Sequence, residues 1–187
     1  MSDVPASKRE EHDFLARRKL KQIRATITEL AINDFGYDKE RLEKKIQRFE
    51  ETLQDNDRKA EIVARMRKKN ETFYADFVEE ETVETRRILR EAVELFELGN
   101  SIFPSGEARL AEFCERRKLI DLAIGKMYCL KQELQYIADT LPGDKNRYEN
   151  IAKEIKAEVS LMKGVRQSAN KFLKGNDDKK KPRENGA

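Results

Sequence analysis

Tyr148, Ile151, Ile155, Val159, Met162, Val165, Ala169 and Phe172 recur every three or four residues. A strand repeats its buried face every two residues, so a stripe with this spacing is helix with one apolar side. The same spacing runs through Leu20, Ile23, Ile27 and Leu30, and through Leu42, Ile46, Phe49 and Leu53. It returns in Ile62, Val63, Met66, Phe73, Phe77 and Val78, in Ile88, Leu89, Ala92, Val93 and Phe96, and from Leu110 to Leu141. No alternating run is long enough for a strand. Charged residues make up 40% of the chain and hydrophobic residues 38%, so each helix has a narrow apolar stripe and wide charged faces. Stripes of this kind are buried by packing them together, with helices crossing at about 20°. The expected fold is all-α: an antiparallel four-helix bundle with an additional N-terminal helical hairpin.

Turn chemistry sets the expected boundaries. Ser7 with Glu10 forms a capping-box pattern. Gly36 suits a left-handed helix end, and Asp38 suits the start of the next helix. Asp55-Asn56-Asp57 reads as a break. The stretch 58–98 is compatible with one long helix or with two, the second starting near Thr82. Gly99 to Gly106 reads as a loop, with two glycines and Pro104. Leu141-Pro142-Gly143-Asp144 reads as a sharp turn that makes the last two helices antiparallel. The expected organisation is a hairpin extension over 1–57, a bundle core over 58–173 and a basic tail over 174–187. That tail has no hydrophobic anchor and is expected to be disordered.

Several function classes find no support in the residues. No run of about 20 apolar residues is present to span a membrane. The opening MSDVPASKREEHD lacks an apolar core typical of a secretory leader, so a cytoplasmic location is expected. Cys114 and Cys129 fall in one helix, roughly 22 Å apart at about 1.5 Å per residue, too far to pair with each other. The single histidine, His12, has no visible partner for metal or acid–base work. Phosphate-cradling glycine loops and Glu-x-x-His pairs are lacking, so no cofactor and no catalytic centre is expected. The abundant acid pairs read as solvated faces.

The basic residues remain. Net charge is only +3, so distribution matters more than the total. Arg17, Lys21 and Arg24 share one helix face, in a segment with no acid between Phe14 and Thr28. Lys163, Arg166, Asn170 and Lys174 share a face of the last helix. Arg116, Arg117 and Lys118 form a further cluster, and the stretch from Glu79 to Glu97 leans acidic. Cations on a rigid face neutralise phosphates. The bland reading of each cluster is an ordinary solvated surface. The aromatic residues fall mostly on the apolar stripes, which favours backbone and shape recognition over base stacking. Lys179, Lys180, Lys181 and Arg183 read as a nucleic-acid-touching arm or, more simply, a solubilising end.

Residues 99–174 carry a set of short motifs: Gly99-Asn100-Ser101-Ile102-Phe103-Pro104, Glu115-Arg116-Arg117-Lys118 and Asp121-Leu122-Ala123-Ile124. Leu130 to Ile137 (LKQELQYI), Leu141-Pro142 and Lys163-Gly164-Val165-Arg166-Gln167 follow. In these the segment resembles the accessory variability determinant proteins encoded beside reverse transcriptases in diversity-generating retroelements. The resemblance implies a four-helix bundle, commonly a homo-oligomeric pentamer. It also implies a non-catalytic protein that binds a reverse transcriptase and structured RNA or DNA through a basic surface. Arg116, Arg117, Lys163 and Arg166 are the basic residues it carries over. The first half departs from that pattern by the extra helices before residue 58, which puts the oligomer in doubt. The rival reading is a helical scaffold that grips a protein partner through the Leu42–Leu53 seam and has no nucleic-acid role.

Overall fold

The computed structural model describes residues 6–52, 57–142 and 144–173, with side chains from Phe14 onward apart from those of Asp57 and Lys171. The His12 side chain, Leu53, Gly143 and the tail 174–187, including Lys174, lie outside that description. Six α-helices follow one another: α1 (Ala6–Ile32), α2 (Lys39–Thr52), α3 (Asp57–Lys68), α4 (Tyr74–Ser101), α5 (Arg109–Thr140) and α6 (Lys145–Ser168). Short 3-10 turns occupy Asp34–Gly36 and Ala169–Phe172, and a π-helical turn, Lys69–Phe73, joins α3 to α4. The protein is therefore an all-α helical bundle, and among the described residues there is no strand. None of the described helices is long and apolar enough to cross a membrane.

The four walls of the bundle are α1, α4, α5 and α6. Each neighbouring pair runs antiparallel. Arg17 of α1 meets Glu97 of α4, while Arg24 and Thr28 lie beside Arg90 and Arg86. Lys126 of α5 meets Glu91 of α4, Arg166 of α6 meets Asp121 of α5, and Lys19 of α1 meets Glu154 of α6. One continuous core joins all four helices. Ile23 and Ile27, Phe96, Met127 and Leu130, and Ile155 and Met162 are all fully enclosed in it. The first helix is thus a wall of the bundle rather than half of a hairpin appended to 58–173. Its stripe of Leu20, Ile23, Ile27 and Leu30 closes the core that the other three helices leave open.

The appended element is an arm. The helix from Asp57 continues without a break through the π-helical turn to Ser101, so 58–98 is one helical run. Its α3 portion pairs with α2, where Ile46 and Val63 are buried outside the main core. Arg67 fastens the pair by donating to Glu43 Oε1 at 3.0 Å and Glu50 Oε2 at 2.7 Å. The π-helical turn buries Asn70, whose backbone carbonyl and Oδ1 lie 2.8 Å and 2.7 Å from the Tyr37 hydroxyl. Asn70 Nδ2 donates to Lys39 O at 3.2 Å. A π-helical turn frees backbone groups from the regular ladder, and here Tyr37 takes one of them.

Asp38 accepts the backbone N–H of Arg41, and Asp144 accepts that of Asn146, so both are caps as expected. At the end of α1 the left-handed region holds Gly36 (φ 79°) together with Asp34 (φ 47°) and Phe35 (φ 54°). A bulky residue there costs about 1–2 kcal/mol. Burial of the Phe35 ring and the Tyr148 hydroxyl bond to its carbonyl, at 2.6 Å, offset that cost. Gly99 and Asn100 belong to the last turn of α4 rather than to the loop after it. At Gly99 α5 packs close: a Cβ there would sit 2.9 Å from Ile120 Cγ1 and 3.2 Å from the Arg116 carbonyl.

Candidate nucleic-acid interface

Arg24 lines a narrow cleft between α1 and α4 together with Thr28, Arg86 and Arg90, over a floor of Ile27 and Leu89. All three guanidinium-bearing residues are exposed. Among the described residues no carboxylate pairs with any of them. Arg86 and Arg90 share a face because they are four residues apart on α4, and the bundle's closure turns that face toward α1. Arg87, one position on, points away and is held between Glu84 and Glu91. Those hydrogen-bonded contacts keep its guanidinium firmly charged and lower both carboxyls, with Lys126 as the main cause at Glu91. The acidic-leaning stretch 79–97 thus hides two arginines that the fold separates from their acidic neighbours. Lys21 lies one turn before Arg24 on the same face of α1, and Arg17 one turn further, at 3.1 Å from Glu97.

The other expected contacts are placed differently. Arg116 is 5% exposed. Its Nη1 donates to the carbonyls of Gly99, Asn100 and Ile102 at 3.1, 3.1 and 2.8 Å, and its Nη2 donates to Asn100 Oδ1 at 2.8 Å. It caps α4 from within and cannot reach a phosphate. The correction has a plain cause: Arg116 lies on the stripe of Phe113, Ile120 and Ala123, all of which are buried. Arg117 is exposed, with its Nε 3.9 Å from Asp121 Oδ2, while Arg166 donates to Asp121 Oδ1. Lys163 donates to the Tyr128 hydroxyl at 3.0 Å, its Nζ 5.5 Å from the centre of that ring. These three cations lie on the α5–α6 side, opposite the α1–α4 cleft, and one carboxylate already serves two of them. Lys174 lies outside the described residues.

A larger cleft of about 620 Å³ opens where α2 begins beside the α5–α6 turn. Arg41, Lys45, Lys145 and Arg147 line it, but so do Asp38 and Asp144. Lys145 is 3.0 Å from Asp139, and Arg147 is 3.9 Å from Glu29. Two of its four cations are thus paired with acids and two carboxylates line it, whereas no acid lines the α1–α4 cleft. Among the described residues no cluster of three or more metal-ligating side chains is present. No protein-family model matches the chain, and no curated protein or solved structure shows significant similarity to it.

Proposed function

We propose that this protein is a non-catalytic, cytoplasmic nucleic-acid-binding protein that grips structured RNA or DNA by its phosphates through the α1–α4 cleft. The observation that carries the reading is the convergence of Arg24, Arg86 and Arg90 beside Thr28 with no acid paired to them among the described residues. Guanidinium groups recognise phosphate in a bidentate manner, and helices hold them at fixed spacing. Lys21 and Arg17 extend the positive edge along α1. The motifs of 99–174 support a more specific role as a homo-oligomeric accessory that presents its nucleic acid to a retroelement reverse transcriptase. Co-purification with such an enzyme tests that step.

The binding itself is tested by fluorescence anisotropy of a labelled RNA stem-loop across a salt series. Affinity should fall steeply with salt, because each neutralised phosphate contributes about −0.9 to the log–log slope on a duplex. Substituting Arg24→Glu, Arg86→Glu and Arg90→Glu together should weaken binding by at least about tenfold and flatten the slope by roughly 2–3. Lys163→Glu with Arg166→Glu should have a smaller effect. No binding at low salt, or equal binding by the folded triple variant, would return the protein to the scaffold reading.

A further inference from the structure

The face that carries Phe73, in the π-helical turn, and Phe77, in α4, is chemically opposite to the arginine cleft. The Phe73 and Phe77 rings stack with centroids 5.9 Å apart, and Phe77 meets Tyr136 of α5 edge-on at 5.5 Å. Phe73 is 46% exposed and Tyr136 53%, so two large rings face solvent. Immediately along α4 the solvent-facing surface carries Asp76, Glu79, Glu80, Val83 and Glu84. Glu84 is engaged by Arg87, but among the described residues no cation pairs with Asp76, Glu79 or Glu80. Glu81 is only 8% exposed and lies beneath this face beside Glu133 of α5.

We propose that this face docks a basic amphipathic helix of a partner protein, its apolar side on Phe73 and Tyr136 and its lysines or arginines along Asp76, Glu79 and Glu80. Charge complementarity selects the occupant. Nucleic acid is repelled by the same carboxylates, so the exposed rings are not a base-stacking platform. The chain's own end is basic at Lys179, Lys180, Lys181 and Arg183 but has no large apolar residue from 174 onward to meet the rings. The exposed cations of α2, Lys44, Lys45 and Arg48, make a second copy the rival occupant, which concentration-dependent self-association would reveal. An amphipathic helix supplies both the apolar stripe and the flanking cations. The partner surface stands apart from the nucleic-acid cleft and does not depend on it.

The probe is a fluorescein-labelled 18-residue peptide of leucine and lysine in helical register, titrated with the full chain and followed by anisotropy. Saturable binding is expected. Asp76→Lys with Glu80→Lys should weaken it by at least about tenfold, and Phe73→Ser with Tyr136→Ser by about fivefold or more. A peptide of equal charge with serine in place of leucine should bind about tenfold more weakly. The milder pair Asp76→Asn and Glu80→Gln, with unchanged helical circular dichroism, guards against misfolding. Absence of binding, indifference to the ring substitutions, or equal binding of the serine peptide would overturn the proposal. So would tighter binding by a chain ending at Leu173, which would assign the face to the protein's own basic end. The Arg24, Arg86 and Arg90 variant should bind the peptide as the wild type does.

Discussion

Arg116 and Arg117 are neighbours in sequence, yet one step of about 100° around a helix sends them to different fates. Arg116 spends its donors on the last carbonyls of α4, groups that a helix end leaves without partners. Arg116→Met should therefore lower stability by roughly 2–4 kcal/mol, seen as a clear drop in Tm. RNA affinity of the folded fraction should change by less than about twofold, because the group touches no solvent-facing phosphate. Normal stability in that variant would contradict the capping role. Glu158 is the acidic counterpart. It lies on the α6 stripe between Ile155 and Val159, is fully buried, and among the described residues neither carboxyl oxygen has a hydrogen-bond partner. Burial pushes its carboxyl from an ordinary value near 4.5 up to about 8, against a weaker opposing pull from Lys19 on α1. Glu81 moves the same way, to about 7, through burial and then the nearby Glu133. A raised carboxyl pKa means that the folded state holds a proton the unfolded chain has released. The contribution of the Glu158 carboxyl to stability is thus greatest below about pH 4.5, falls as pH rises toward 8, and levels off above it. Glu158→Gln should stabilise the protein at pH 8 by roughly 2–5 kcal/mol and flatten the dependence, with little change at pH 4.5. Urea melts of both proteins across this range provide the check, and parallel pH profiles would refute it. Arg116 and Glu158 each fall on their helix's apolar stripe, a signal that the reading of Arg116 as a surface cation set aside. Arg86 and Arg90 were not legible, because only the placement of α1 decides which arginine of the acidic stretch meets Arg24.

The individual helices were largely written in their stripes, and the caps Asp38 and Asp144 act where their side chains predicted. The joins were harder to read. Gly99 resembles a loop residue by type, but it is a contact point inside α4, set by Ile120 and Arg116 on the facing helix. The π-helical turn at Lys69–Phe73 has no period of its own in the sequence; it is held by Tyr37, thirty-three residues from Asn70. That contact fastens the arm to the bundle. Asn70→Ala removes the side-chain acceptor for Tyr37 and the donor to Lys39 O, at a cost of about 1–3 kcal/mol. The loss should be local, because Ile46 and Val63 lie outside the main core. Hydrogen exchange should speed up across 39–52 and 58–68 while α5 keeps its protection. Uniform acceleration through α5 would show that the arm and bundle unfold as one unit.

At the scale of the whole molecule, the all-α class followed from periodicity and charge, but the partnership of the helices did not. A stripe says that a helix must be covered and leaves open which neighbour covers it. The resemblance in residues 99–174 drew the expected bundle around the second half, leaving 1–57 as an extension. The structure instead places α1 between α4 and α6, where Leu20, Ile23, Ile27 and Leu30 are all nearly or fully buried. The consequence is sharp. A fragment spanning 58–173 keeps three bundle helices and the α3 half of the arm, but leaves Ile88, Leu89, Phe96, Ile155 and Val159 without the α1 wall. Each large apolar side chain returned to water costs about 1.5–3 kcal/mol, and five together cost about as much as the whole margin of a typical domain. The fragment should therefore lack a cooperative thermal transition and bind a hydrophobic dye, as loosely packed states do. It should also fail to bind the RNA stem-loop, because Arg24 and one wall of the cleft leave with α1. Adding a synthetic peptide covering residues 6–37 should restore both the transition and the binding. A fragment that melts cooperatively by itself would make 58–173 the true bundle and reduce α1 to a strap across its surface.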